Sequence, residues 1–187
     1  MKKLSLALGT ILLASSASAL AYEDITPSAA YNWVNSADSN VIIIDVRTRE
    51  EWGFVGHPAP NAADADTPGA GLAGKVHNVS LKVEDDGQMI KNKWFVEDVK
   101  QLMADNPNAT IITMCRSGSR SVAAAKLLEE AGFSNVYNMV GGFEGGRDEL
   151  GYRGKTEGWK NSGLPYLADC DGRGYVPRSI PRDSLNK

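Results

Sequence analysis

The chemically able residues of this 187-residue chain concentrate in Cys115-Arg116-Ser117-Gly118-Ser119-Arg120. The run follows Thr110 to Met114, which read as a short apolar strand. It precedes Val122, Leu127, Leu128 and Ala131, which read as a helix closed by Gly132. A cysteine at that junction faces a helix amino terminus, where backbone N–H groups lack partners and the dipole supplies partial positive charge. An anion is favoured there, so the thiol is expected to ionise more readily than in solution, with Arg116 and Arg120 strengthening the effect. Gly118 lets the loop curl so that its amides converge on the sulfur. Ser117 and Ser119 line the loop, and Ser119 is also placed to cap the helix.

Other readings of these residues compete with a nucleophile. Cys115 and Cys170 are the two cysteines, 55 positions apart, and two thiols in an exported protein default to one disulfide. Cys170 lies in Asp169-Cys170-Asp171-Gly172, whose acids make it a poor nucleophile and leave it a resolving role at most. A cysteine phosphatase keeps five residues between Cys and Arg, around a tetrahedral phosphate. Here four residues, Arg116 to Ser119, fill that gap, and the smaller loop suits a single sulfur. His57 precedes Pro58 and reads as a turn residue. No second His or Cys stands at metal-ligand spacing from it.

The elements that must position the loop follow from the hydrophobic pattern. Thr26-Pro27 starts a helix whose apolar face is Ala30, Trp33 and Val34, ending near Asn35. Val41 to Ile44 is an unbroken β-branched run, expected of a strand covered on both faces in a parallel sheet. Asp45 and Arg47 stand at its carboxyl end, the edge where α/β sheets place sites, with Asp45 orienting the loop and Arg47 tying down structure. Val76 to Leu81 is a weaker strand, Asp85-Asp86-Gly87 a turn, Lys93 to Ala104 a helix, and Asn135 to Met139 a last strand. Trp33, Trp52, Trp94 and Trp159 read as core or loop-packing aromatics. Lys126, Glu129 and Glu130 read as an exposed helix face. Alternating helices and strands predict an α/β fold with a mostly parallel central sheet flanked by helices.

Composition narrows the function classes. With 42% hydrophobic and 23% charged residues the chain can bury one core. Residues 1–21 read as a secretory leader: Lys2 and Lys3, the apolar stretch Leu4 to Leu13, then small residues around Ala17-Ser18-Ala19 or Ala19-Leu20-Ala21. Loss of that segment takes the formal charge from −3 to −5, because it holds two lysines and no acid. An acidic product argues against nucleic-acid partners. The expected location is periplasmic or otherwise exported, with no stable membrane insertion after cleavage. The expected organisation is a leader (1–21), a domain (22–166) with loop insertions at about 59–74 and 145–157, and a tail (167–187).

The pattern resembles the rhodanese-like sulfurtransferases. The resemblance rests on Ile43-Ile44-Asp45-Val46-Arg47 with Glu51-Trp52, Gly56-His57-Pro58, Cys115 to Arg120, Gly141-Gly142-Phe143, and Trp159 with Gly163-Leu164-Pro165. It implies a parallel sheet flanked by helices and a cysteine that takes a sulfane sulfur from a donor such as thiosulfate or polysulfide, holds it as a persulfide, and passes it to a thiophilic acceptor. Cys115 would be the catalytic residue and Arg116, Ser117, Gly118, Ser119 and Arg120 the sulfur cradle, with Asp45 and Arg47 supporting them. The persulfide itself carries the sulfur, so no metal or organic cofactor is expected. The partners expected are a small anionic donor and a thiol or protein acceptor. Arg120 is also placed to pair with Asp45 or Glu51. The two insertions depart from the family pattern at the mouth of the site. The alternatives are a non-catalytic or slow persulfide carrier or partner-binding module that docks through these insertions, a cysteine-dependent phosphatase or arsenate-type reductase, which the loop length disfavours, and a handler of another chalcogen or oxyanion.

Overall fold

The β-branched runs form the centre of a parallel sheet. In this computed structural model, which describes residues 22–37, 39–60 and 69–168, β1 (Glu23–Ile25), β2 (Val41–Asp45), β4 (Val76–Asn78), β7 (Thr110–Met114) and β8 (Val136–Met139) lie side by side in the order β1-β8-β7-β2-β4. Every pairing among them is parallel. The register sets Ile43 beside Ile112 and Asp45 beside Met114, so the carboxyl ends of β2 and β7 are level. The proposed leader, residues 61–68 of the first insertion, Cys170 and the tail beyond residue 168 lie outside the described residues.

Strand periodicity of two then divides the core. Ile44 and Ile111 pack with Phe95 and Val99 of α2 (Phe95–Leu102) and with Ala124, Ala125 and Leu128 of α3 (Ser119–Glu130). Ile43 and Ile112 pack on the opposite face with Ala30 and Val34 of α1 (Pro27–Asn35), together with Trp52, Phe143 and Trp159. Both faces are covered, which is why β2 is apolar up to Asp45 and why the buried Thr113 of β7 turns its hydroxyl to the Ser121 and Tyr137 carbonyls. Thr26 caps α1, its hydroxyl accepting from the Ala29 N–H at 3.2 Å, with Pro27 fixing the first turn.

Two small antiparallel pairs flank the sheet. β3 (His57–Pro58) pairs with β9 (Tyr166–Leu167), and β5 (Lys82–Asp85) with β6 (Gln88–Lys91). The second pair is a hairpin around Asp86-Gly87, both at positive φ (51° and 75°), the geometry that matches the twist of two strands. The sequence pattern marks only its turn. Four further expectations need correction. Trp33 is 41% exposed, meeting Tyr137 edge-on at the surface, because α1 turns Ala30 and Val34 inward. Leu127 is exposed while Glu129 is largely covered, because α3 packs through its alanines and Leu128. The residue capping α3 is Gly118, with no side-chain cap, and Ser119 is already the first helical residue. The β4 strand stops at Asn78, short of Leu81.

Among the described residues no helix is long and apolar enough to cross a membrane.

Candidate active site

The chain leaves β7 at Met114, makes one tight loop and enters α3 at Ser119. Cys115 is the first residue of that loop, a free thiol only 1% exposed. The Gly118 N–H donates to its Sγ at 3.2 Å, and Gly118 has φ +106°, where a side chain would be strained. The helix therefore starts with an amide aimed at sulfur.

The back of the loop is pinned by a second glycine turn. Phe143 N–H donates to the Cys115 carbonyl at 2.8 Å and Glu144 N–H to the Arg116 carbonyl at 2.9 Å. A trans peptide holds each carbonyl antiparallel to the following N–H, so the amides of Arg116 and Ser117 point away from that segment. The approach is close enough to require Gly142: a Cβ there would lie 2.3 Å from the Cys115 carbonyl oxygen, and its φ is +58°.

Beneath the loop lies a layer of buried charge. Asp45 and Arg47 are both fully buried. Arg47 Nε donates to Asp45 Oδ1 and Oδ2 at 3.0 and 2.9 Å, and its Nη2 to Asp45 Oδ2 at 2.5 Å and the Gly56 carbonyl at 2.6 Å. The Arg47 guanidinium also sits 4.3 Å from the centre of the Phe143 ring, the residue whose amide holds Cys115. Desolvating two charges is costly, and these hydrogen bonds and the aromatic face offset it. The Asp45 carboxylate thus accepts from Arg47, and Arg47 in turn meets the loop's backing through the Phe143 ring.

Arg120 is held by Glu51. Its two terminal nitrogens donate to the two carboxylate oxygens at 2.6 and 2.7 Å. Glu51 in turn forms a reciprocal cap with Thr48: Thr48 N–H donates to Glu51 Oε2 at 3.2 Å and Glu51 N–H to Thr48 Oγ1 at 3.3 Å. Burial pushes the Glu51 carboxyl up, but the hydrogen bond and charge of Arg120 and the Thr48 amide more than offset it, leaving the pKa below the ordinary value. The Glu51 hydrogen bond raises Arg120 above its own. Of the two partners the sequence offered for Arg120, the ion pair forms with Glu51.

Arg116, by contrast, is half-buried, and its Nε has no hydrogen-bond partner among the described residues. Ser117 is half-buried and Ser119 exposed. A further hydroxyl, absent from the sequence reading, reaches the sulfur: Ser121 Oγ lies 3.5 Å from Cys115 Sγ. Its position one turn into α3 is the signal that helical spacing could have supplied. His57 stacks on Trp52 at 3.8 Å, away from the loop's hydrogen bonds, and burial lowers the pKa of His77.

The second insertion rests on the loop's shoulder. Gly154 N–H donates to the carbonyl of Glu144, whose own amide holds Arg116. Between them, Asp148 Oδ1 accepts from the amides of Leu150 and Tyr152, and these two side chains are 78% and 60% exposed.

The cysteine stands at the head of a helix, in a tight loop at the carboxyl edge of a parallel sheet, the edge where α/β folds place their sites. The family model of the rhodanese-like domain matches residues 26–149, and the chain belongs to that family. Its fold is similar to the crystal structure of Rv0390 from M. tuberculosis, with a TM-score of 0.60 and 35% identity over 79% of this chain and 99% of that one. An uncharacterised protein of Rickettsia conorii is 32% identical, covering 79% of this chain and 98% of its own length. Thiosulfate sulfurtransferase 16, chloroplastic, of Arabidopsis thaliana is 32% identical over 67% of this chain and 78% of its own. The family model and this last relative together support a sulfurtransferase family.

Proposed function

We propose that the protein moves a sulfane sulfur from a small anionic donor, such as thiosulfate or polysulfide, to a thiol or other thiophilic acceptor through a persulfide on Cys115. The observation that carries this reading is the Gly118 amide donating to Sγ at the head of α3. In the first step the Cys115 thiolate attacks the outer sulfur of thiosulfate; a new S–S bond forms, the old one breaks, and sulfite leaves with the electron pair. The charge then rests on the outer sulfur of the persulfide, which the amides of Arg116 and Ser117 stabilise without a metal or organic cofactor while the Gly118 amide stays on Sγ.

The remaining residues divide by their contacts. Arg116, whose Nε has no hydrogen-bond partner among the described residues, attracts the anionic donor. Arg120 fixes the start of α3 through Glu51, adding positive field to the cradle. Ser117 and Ser119 border the opening, and Asp45 and Arg47 hold the loop from below. The near-complete burial of Cys115 favours narrow donors over bulky ones. Sulfite release from thiosulfate in the presence of an acceptor tests the reading. The expected result is turnover by the native protein and none by Cys115→Ser; equal turnover by both would reject it.

A further inference from the structure

Ser121 is fully buried in the first turn of α3 and is surrounded by acceptors. Its Oγ lies 2.8 Å from the Gly118 carbonyl, 2.7 Å from Asn138 Oδ1 and 3.5 Å from Cys115 Sγ. Asn138 cannot donate back. Its Nδ2 donates to Asp24 Oδ1 at 2.8 Å, which turns the amide oxygen toward Ser121. The Gly118 carbonyl already receives the Val122 N–H at 3.1 Å. One hydroxyl proton is thus contested by three acceptors, and the sulfur wins it only when it is a strong acceptor.

We propose that Ser121 is a positioning residue for the second half of sulfur transfer, its hydroxyl turning from Asn138 to Sγ as the persulfide bond breaks. This rests on the sulfur-transfer reading above. In the persulfide the charge lies on the outer sulfur, and Sγ is a neutral, weakly accepting divalent atom, so the hydroxyl keeps donating to Asn138 Oδ1 at 2.7 Å. During discharge the acceptor's lone pair bonds to the outer sulfur, the S–S bond breaks, and its electron pair returns to Sγ as thiolate. No oxidant or reductant is consumed. Sγ becomes charged at that moment, and a hydrogen bond to a charged acceptor is about twice as strong as a neutral one. The Gly118 amide already donates to Sγ, and the Ser121 hydroxyl, 3.5 Å away, adds a second donor that favours the leaving group. Asp24, by fixing the Asn138 amide, keeps its oxygen available as the alternative acceptor for the hydroxyl.

The experiment separates the two half-reactions by rapid mixing, with thiosulfate as donor and cyanide as acceptor. In Ser121→Ala, discharge of the preformed persulfide to cyanide should slow about tenfold, the worth of one charge-assisted hydrogen bond. Loading at alkaline pH should not slow, so the variant accumulates persulfide at steady state. Ser121→Thr keeps the hydroxyl and should restore discharge. Discharge in Ser121→Ala within twofold of native, or slow discharge in a folded Ser121→Thr, would overturn the role of Ser121 alone. Failure of the native protein to load sulfur would overturn the sulfur-transfer reading instead.

Discussion

Two stretches of chain meet at the Cys115 loop, and they are built from opposite materials. The lower one joins a fully buried ion pair, Asp45 with Arg47, to a half-buried one, Glu51 with Arg120. The upper one, the 145–157 excursion, turns Leu150 and Tyr152 outward and is held mainly by its own hydrogen bonds around Asp148. Buried ion pairs are costly to break and tolerate one arrangement, so the lower layer fixes where the sulfur sits. Exposed side chains on a local scaffold change at little energetic cost, so the upper stretch can vary without moving Cys115.

Breaking the lower layer at its centre should have the largest effect. Arg47→Ala leaves the Asp45 carboxylate buried and unpaired and should cost about 3–5 kcal/mol, read by denaturant unfolding. A loss under about 1 kcal/mol would show that the layer is not what holds the edge together.

Glu51→Gln should cost about 1 kcal/mol near neutral pH, since its pair with Arg120 is only half-buried. The Glu51 pKa is lowered in the folded chain, so its stabilisation is present above the ordinary carboxylate range and is lost as pH falls through the lowered folded value. Native and variant stabilities should therefore converge in acid, as followed by unfolding across pH. A constant gap between the two would assign the effect to packing rather than charge.

The smallest effect sharpens the contrast from the other side. Leu150→Ser with Tyr152→Ser should leave stability within about 0.5 kcal/mol and sulfite release from thiosulfate unchanged. A several-fold loss with that small donor would mean that the excursion shapes the site itself.

Much of this frame was legible in the residues. The runs Val41 to Ile44 and Thr110 to Met114 read as buried strands because both faces of a parallel strand are covered, and Thr26-Pro27 announces α1. The cysteine loop announces itself by its place between strand and helix. Features set by neighbours were hidden. The strands beside Asp86-Gly87 are mostly exposed and give no clear alternation. Which helix residues turn inward depends on the surface opposite, so Trp33 and Leu127 went outward and Glu129 inward. Glu51 and Arg120 are 69 positions apart, and their pairing was one of two possibilities until the chain folded. Gly142 is needed because another segment's carbonyl passes beside it, a contact no local pattern encodes.

Intact-mass measurement after incubation with thiosulfate tests the central claim most directly. The account predicts that the native protein gains the mass of one sulfur atom, that the gain maps to the peptide containing Cys115, and that it disappears on adding a thiol acceptor or replacing Cys115 with serine. An unchanged mass in the native protein, or the same added sulfur in Cys115→Ser, would contradict it.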